Sequence, residues 1–247
     1  MQPNGNTILV TGGGSGIGRE MARRWHDLGN TVIVAGRTAA TLEETAQGRD
    51  GMHTMMFDAG DAADVARFAG EVVARFPNLN VLVNNAGIMR FEDLTTARDL
   101  ADSQAIIETN LLGPIRLIDA LIDHLAASGK GAIVNVTSGL AFVPLPSAPT
   151  YSASKAALHS YTQSLRARLA GKVEVVEVAP PAVQTELTPG QSSREGYMPL
   201  DAFIAETMAQ FEAEPTPPEV LTQQVLFLRN AEAEGRHDAA LAMLDSH

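Results

Sequence analysis

The chain has 247 residues, of which 45% are hydrophobic and 19% charged, and its formal net charge is −11. A chain of this size can bury a large core without disulfides, and with no cysteine it can form neither a disulfide nor a thiolate metal site. The negative charge argues against binding to nucleic acid or to an anionic membrane surface. The sequence shows neither an apolar run of about 20 residues nor a signal-like N-terminus, so we expect a cytoplasmic protein.

Short β-branched runs alternate along the chain with longer amphipathic segments. The runs predict buried strands at residues 7–11, 31–35, 80–83, 132–136 and 173–178, with a weaker candidate at 52–57. The intervening segments carry apolar residues at spacings of three and four and predict helices at 16–28, 62–76, 104–127 and 151–170. This alternation is typical of βαβ units, so the sequence predicts one α/β domain, residues 1–247, with a Rossmann-type doubly wound parallel sheet.

Residues 180–218 interrupt this alternation, because they are rich in proline, methionine and glutamate and contain only a short predicted helix near 202–211. We expect residues 185–215 to form a lid over a substrate site. The apolar side chains of the lid either line an apolar pocket or pack the lid onto the domain; both alternatives are open. These side chains are Leu187, Tyr197, Met198, Leu200, Phe203 and Met208.

A glycine-rich turn joins the first strand to the first helix. A glycine pattern alone is weak evidence, but one placed between a strand and a helix predicts a dinucleotide site. Gly12 permits the tight turn, Gly16 lets a pyrophosphate approach the backbone, and Gly18 lets the helix pack closely on the sheet. The helix N-terminus then presents free N–H groups to the phosphates. The expected contact residues are Gly12, Gly14, Ser15, Gly16, Ile17 and Gly18.

The residue after the second strand bears on the choice of nicotinamide cofactor. A carboxylate there would bind the ribose 2′-hydroxyl and repel a 2′-phosphate. This chain has Arg37 instead, and a guanidinium can bind a phosphate through two hydrogen bonds. We therefore expect NADP(H). The alternative is that Arg37 is a solvated surface charge and that NAD(H) is also accepted.

Further motifs follow in order along the chain. They are Asp58 after the strand at 52–57, Asn84-Asn85-Ala86-Gly87 after the strand at 80–83, Asn110 in Asn110-Leu111-Leu112-Gly113, Ser138 after the strand at 132–136, and Tyr151-Ser152-Ala153-Ser154-Lys155. With the glycine turn, they make residues 7–188 resemble the short-chain dehydrogenase/reductase family. The resemblance implies an oxidoreductase that moves a hydride between NADP(H) and a carbonyl or secondary alcohol.

The resemblance also implies roles for individual residues. Asp58, Asn85, Ala86 and Gly87 would contact the adenine side of the cofactor. Ser138 would hydrogen-bond the substrate oxygen, and Asn110 would anchor a water molecule that relays protons.

Tyr151 is the expected general acid and base. A free tyrosine has a pKa of about 10, which is high for proton transfer near neutrality. Lys155 lies one helical turn after Tyr151 on the same face, and its ammonium would lower the pKa of the phenol. By resemblance, Lys155 and Tyr151 would also hold the nicotinamide ribose.

The chain departs from the family pattern in two places. Pro181 stands where the family has glycine, so the backbone turn must differ, although Pro181, Val183 and Thr185 are still expected beside the nicotinamide. The residues from 227 onward contain no β-branched run, and 230–247 read as a helical tail. We therefore predict six core strands, with a C-terminal helix in place of the usual seventh strand.

Without that strand, we expect a homodimer through the helices at 104–127 and 151–170 rather than the family's tetramer. The apolar residues behind this expectation are Ile106, Leu117, Leu121, Leu158 and Leu165. The six histidines form no metal-ligand pattern, and no metal site is expected. Two alternatives remain for the function: an NAD-preferring dehydrogenase, and a regulator that binds a dinucleotide without catalysis.

Overall fold

The structure is a computed structural model that describes residues 1–245. Seven strands form one parallel sheet in the order β3-β2-β1-β4-β5-β6-β7. The strands are β1 Thr7–Thr11, β2 Thr31–Gly36, β3 Met52–Met56, β4 Val81–Asn84, β5 Gly131–Val136, β6 Val173–Val178 and β7 Glu219–Val220. The predicted Rossmann-type parallel sheet is confirmed.

The α-helices are α1 Gly16–Asp27, α2 Ala39–Ala46, α3 Ala62–Arg75, α4 Ala101–Ile107, α5 Gly113–Ala127, α6 Pro149–Leu169, α7 Leu200–Phe211, α8 Leu226–Arg229 and α9 His237–Asp245. The single helix predicted at 104–127 is divided, because a π-helix at Glu108–Leu112 separates α4 from α5. Within residues 1–245, no helix combines the length and apolarity needed to cross a bilayer.

Strand residues pack alternately on the two faces of the sheet, and each face has its own core. Ile8 and Val10 pack on the face covered by α1 and α7, where the rings of Trp25 and Phe211 meet edge to face at 5.3 Å. Leu9 packs on the opposite face, against α3 and α5. Both faces of the central strands are therefore buried, which explains their continuous apolar sequence.

The prediction of six strands with a helix replacing the seventh is wrong. β7 pairs in parallel with β6, with Glu219 opposite Glu177 and Val220 opposite Val178. A two-residue strand that follows Pro217-Pro218 leaves no β-branched run, so the sequence pattern missed it. A C-terminal helix is present, but α9 packs on Val143 instead of taking a strand position. Residues 246–247 of the predicted tail lie outside the described residues.

The segment predicted as a substrate lid, residues 185–215, contains a helix that belongs to the core. Phe203 and Met208 of α7 are buried against the α1 face of the sheet. Leu187, by contrast, borders the cleft described below. Of the two alternatives for the apolar side chains, packing onto the domain applies to Phe203 and Met208. A lid movement of this segment stays a prediction.

The apolar residues on which the dimer prediction rests are mostly buried in the core of a single chain. Ile106, Leu117, Leu121 and Leu158 are at most 1% exposed, and Leu165 packs partly buried on the α3–α5 face. They offer no continuous apolar surface to a second copy. The homodimer stays a prediction, and these residues do not support it.

We predict that Phe211→Ala lowers the free energy of unfolding by about 3–5 kcal/mol, because it removes a buried ring that contacts Trp25. Urea unfolding followed by Trp25 fluorescence measures this change. Phe91→Ala is the matched control, because Phe91 is 55% exposed and its loss should change stability by less than about 0.5 kcal/mol. Equal effects of the two substitutions would contradict the packing described for α7.

Candidate active site

A cleft opens at the carboxyl ends of the strands, where the sheet order reverses between β1 and β4. Ligands of doubly wound sheets bind at this switch point. The cleft has a volume of about 400 Å³. It is lined by the predicted residues Gly12, Gly14, Ser15, Gly16, Ile17, Gly18, Arg37, Asp58, Asn85, Ala86, Gly87, Ser138, Tyr151, Lys155, Pro181, Val183 and Thr185.

The glycine turn is shaped by close contact with the segment after β4. Gly12 has a φ of +66°, and a Cβ atom there would lie 2.8 Å from the Cα of Ala86. A Cβ atom on Gly18 would collide with the Gly12 carbonyl and the Asn85 side chain. Asn85 Nδ2 donates to the carbonyls of Thr11 and Gly12, at 3.0 and 3.2 Å. Any side chain at Gly12 or Gly18 would therefore push the turn and the post-β4 segment apart.

The start of α1 is available to an anion. Ser15 precedes the helix in an extended conformation, and its side chain makes no capping hydrogen bond. The first amide groups of α1 thus lack a side-chain cap, as a phosphate-binding helix terminus requires.

Arg37, just after β2, is exposed and borders the same cleft. Within residues 1–245, no hydrogen bond or ion pair occupies its guanidinium group. The neighbouring Arg19, in contrast, is held by the Gly14 carbonyl and by Glu44. Arg37 is therefore the cation at this end of the cleft that can bind a ligand phosphate.

Val136, the last residue of β5, and Ser138, two residues later, meet at the predicted catalytic groups. Lys155 Nζ donates to the Val136 carbonyl at 2.8 Å. The Ser138 hydroxyl accepts from the Leu140 amide at 3.1 Å and also hydrogen-bonds the Tyr151 side chain. Tyr151 is 6% and Lys155 is 4% exposed, so both side chains lie in a nearly dry environment. The structure thus brings Ser138, Tyr151 and Lys155 together.

The pKa of Tyr151 differs from the sequence-based expectation. Burial raises the pKa of the phenol to about 12, although the hydrogen bond with Ser138 acts to lower it. The lysine does not offset the burial, because its Nζ is bonded to Val136 and lies 5.7 Å from the centre of the tyrosine ring. Burial also lowers the pKa of Lys155 to about 8. In this conformation the lysine therefore does not acidify the phenol.

Asn110 does not line the cleft but lies directly behind it. It is fully buried in the π-helix, and its amide bonds the backbone N–H and carbonyl of Ile88 at 2.8 and 2.9 Å. A Cβ atom on Gly87 would lie 3.4 Å from Asn110 Oδ1 and 3.7 Å from Lys155 Nζ. Asn110 thus supports the segment after β4 beside the lysine.

The segment after β6 is held by a residue that the sequence reasoning missed. The buried side chain of Gln191 donates to the carbonyl of Val183 at 2.8 Å and to the Thr185 hydroxyl at 3.2 Å. Pro181 borders the cleft, and the carbonyl of Pro180 accepts from the Gly139 amide at 2.8 Å. This segment is therefore tied to the Ser138 loop despite proline in the place of glycine.

Comparison with known proteins identifies the family. The family model for short chain dehydrogenases matches residues 6–196. The chain belongs to the short chain dehydrogenase family. As a member of this family, it is a nicotinamide-dependent oxidoreductase.

Relatives and solved structures agree with this assignment. The chain is 42% identical to "Uncharacterized oxidoreductase DltE" of Bacillus subtilis over 198 residues, which cover 79% of each chain. It is 37% identical to "Sulfoacetaldehyde reductase 2" of Chromohalobacter salexigens, with coverage of 73% of this chain and 74% of the relative. A short chain dehydrogenase from Burkholderia cenocepacia, solved in complex with NADP, superposes with a TM-score of 0.82, 28% identity and 99% coverage of both chains.

In this dehydrogenase, Glu92 supports the start of the helix that carries Tyr151. Its carboxylate accepts hydrogen bonds from the Thr150 amide at 2.9 Å and the Thr150 hydroxyl at 2.8 Å, and Arg98 and Ser103 donate to it as well. Burial on its own raises the pKa of Glu92, but these donors lower it to about 2. No sequence pattern indicates this role, because Glu92 lies 58 residues before Thr150.

We predict that Glu92→Gln destabilises the dehydrogenase at neutral pH by about 3 kcal/mol. The folded-state pKa of about 2 lies below the ordinary value of 4.5, so this stabilisation is complete above about pH 5 and is lost as the pH falls towards 2. Urea unfolding between pH 3 and pH 7 measures it. Glu43→Gln, at an exposed position, should have little effect at any pH. If Glu92→Gln lowered the free energy of unfolding equally at pH 3 and pH 7, a lowered pKa of Glu92 would be excluded.

Proposed function

We propose that this dehydrogenase transfers a hydride between NADP(H) and a carbonyl or secondary alcohol carbon, with Tyr151 as general acid and base. The observation that carries the proposal is the meeting of Ser138, Tyr151 and Lys155 at one end of a cleft whose other end is the glycine turn. A protein that only bound a dinucleotide would have no use for a buried phenol beside a buried lysine.

NADP(H) fits the residues that line the cleft. The glycine turn allows backbone approach by a pyrophosphate, and the uncapped N-terminus of α1 offers amide donors to it. The unoccupied guanidinium of Arg37 lies after β2, where the ribose 2′-phosphate would be bound. The NADP complex of the Burkholderia relative supports the same choice.

The chain's own residues supply the proton chemistry. Bound NADPH would supply the hydride. With a pKa of about 12, the phenol of Tyr151 is protonated at neutral pH and can donate its proton to a carbonyl oxygen as negative charge builds there. The Ser138 hydroxyl, whose oxygen accepts from the Leu140 amide, lies beside Tyr151 and would donate its proton to that carbonyl oxygen when a substrate is bound.

Lys155 would then assist the return of the proton to Tyr151. Its pKa of about 8 leaves it mostly protonated at neutral pH, within reach of proton exchange. Gly87 lies between Lys155 and Asn110 and has no side chain to fill the space between them. A water molecule held by Asn110 would then connect the lysine to solvent.

An apolar cluster surrounds the phenol on the substrate side. Met89 and Ala148 are buried against Tyr151, and Leu140, Leu145 and Leu187 pack partly buried on them. The carbon skeleton of the substrate would contact this cluster while its oxygen faces Ser138 and Tyr151.

We predict that Tyr151→Phe lowers kcat at least 100-fold, because the proton donor is lost, and weakens NADPH binding only slightly, because the glycine turn and Arg37 still bind the phosphates. A panel of aldehydes and ketones, followed by NADPH absorbance, identifies the best substrate, and NADPH fluorescence measures binding. Tyr161→Phe, ten residues later on the same helix, is the matched control and should retain activity. Equal rates for wild type and Tyr151→Phe would refute the proton-transfer role. NADPH binding without reduction of any panel member would favour a non-catalytic regulator.

We predict that Arg37→Asp reverses the cofactor preference, because the new carboxylate repels a 2′-phosphate and accepts a hydrogen bond from a 2′-hydroxyl. The ratio of kcat/KM for NADPH to that for NADH should fall at least 100-fold. Arg168→Asp makes the same change of charge at an exposed site in the last turn of α6, and it should leave the ratio unchanged. An unchanged ratio in Arg37→Asp would favour the permissive or NAD-preferring alternative.

A further inference from the structure

A buried polar cluster lies next to residues 136–138 and contains none of the proposed catalytic residues. Its centre is Glu177 on β6, which is 0% exposed. The ligand-type atoms of His159, Glu177 and Glu219 lie within 4.8 Å of one another. A buried carboxylate needs partners that offset the cost of removing it from water, so the partners of Glu177 indicate its role.

The cluster already contains its own cation and donors. Arg229 holds both carboxylate oxygens of Glu219, at 2.9 and 3.2 Å, and its guanidinium stacks on the Phe142 ring at 4.9 Å. The proximity of Glu219 and Glu177 helps to raise the pKa of Arg229, which stays charged. His159 Nδ1 lies 2.9 Å from both oxygens of Glu177. Because these groups bind one another, the cluster does not have the open ligand set of a metal site.

The remaining partner of Glu177 is Thr137, which lies between Val136 and Ser138. The Thr137 hydroxyl donates to Glu177 Oε1 at 2.6 Å, and the Thr137 amide donates to the Val178 carbonyl at 2.8 Å. Thr137 stands between Val136, whose carbonyl accepts from Lys155, and Ser138, which hydrogen-bonds Tyr151. Val136 is held in β5 by its pairing with Val178, so the rotation of the chain at Thr137 sets the direction of Ser138 in particular.

We propose that Glu177 is a positioning residue, which fixes the segment Val136–Thr137–Ser138 through Thr137 and so orients the Ser138 hydroxyl towards Tyr151. The proposal rests on the function proposed above. A hydrogen bond to an ionised acceptor is shorter and stronger than one between neutral groups, so a carboxylate holds Thr137 more firmly than an amide or hydroxyl would. His159 also contacts Glu177, with its Nδ1 at 2.9 Å from both carboxylate oxygens, and so limits the rotation of the carboxylate.

Two substitutions break the hydrogen bond from opposite sides. Thr137→Val keeps the shape of the side chain and removes the donor, and Glu177→Met removes the acceptor. We expect each to lower kcat on the best panel substrate by about 10–100-fold, because a small misplacement of a group that acts in the transition state has effects of this size. The dissociation constant for NADPH should stay unchanged, since the glycine turn and Arg37 are untouched.

The decisive measurement repeats Thr137→Val and Glu177→Met in the Ser138→Ala background. If Glu177 acts through Ser138, neither substitution should lower kcat further, because the group that they position is gone. A loss of the same size in both backgrounds would overturn the proposal and assign the cluster a purely structural role. Should Glu177→Met not fold, Thr137→Val tests the same hydrogen bond from the other side.

Conservative and remote variants complete the test. Thr137→Ser keeps the donor and should retain most of the activity, whereas Glu177→Gln keeps an acceptor but weakens the hydrogen bond, so its kcat should lie between those of wild type and Glu177→Met. Thr162→Val removes another buried threonine hydroxyl, which accepts a hydrogen bond from the Asn135 side chain of β5 at 2.9 Å. This variant should leave kcat within about twofold of the wild-type value. A similar loss of kcat in Thr162→Val would also overturn the proposal.

The outcomes separate this proposal from the proposed function. If Ser138→Ala and Tyr151→Phe reduce the substrate as fast as wild type, the function assigned to the cleft is wrong. If those two variants are impaired while Thr137→Val and Glu177→Met match wild type, the proposed function stands and the role of Glu177 is wrong.

Discussion

The close contact between the glycine turn and Asn85 is the constraint on which the cleft depends. Asn85 donates to the carbonyls at the end of β1, and the Thr11 hydroxyl donates to the Val83 carbonyl on β4. These bonds tie together the two strands between which the sheet changes direction. Because Gly12 and Gly18 have no side chains, α1 can start within contact distance of Asn85. The phosphate-binding turn and the segment after β4 therefore form one rigid unit.

The end of the cleft that holds Ser138, Tyr151 and Lys155 is built on the same principle, with buried polar groups behind each of these side chains. Glu92 holds the start of the Tyr151 helix, and Asn110 holds the backbone next to Gly87. Glu177 holds Thr137, whose neighbours Val136 and Ser138 contact Lys155 and Tyr151, respectively. Groups that are fixed from behind in this way need little reorganisation when charge develops during a reaction.

The sequence predicted the six longer strands and most of the residues that line the cleft, because both leave local patterns. Strands buried on both faces read as continuous apolar runs, and the site residues occur in short motifs at strand ends. β7 was missed because two residues make no pattern. Glu92 and Glu177 were missed because a single glutamate carries no signal when the residue that it positions lies far away in the sequence, as Thr150 does at 58 residues and Thr137 at 40 residues. The pKa of Tyr151 was misjudged, since helical spacing does not reveal that Lys155 Nζ binds Val136.

The brevity of β7 has a consequence for how the molecule behaves at high concentration. A long, flat outer strand presents a row of free amide and carbonyl groups on which a foreign strand can add. On this side of the sheet the outer strand offers only Glu219 and Val220, and Glu219 carries a charged side chain paired with Arg229. An incoming strand could form few backbone hydrogen bonds with β7, so the shortness of this edge strand protects the sheet against edge-to-edge aggregation.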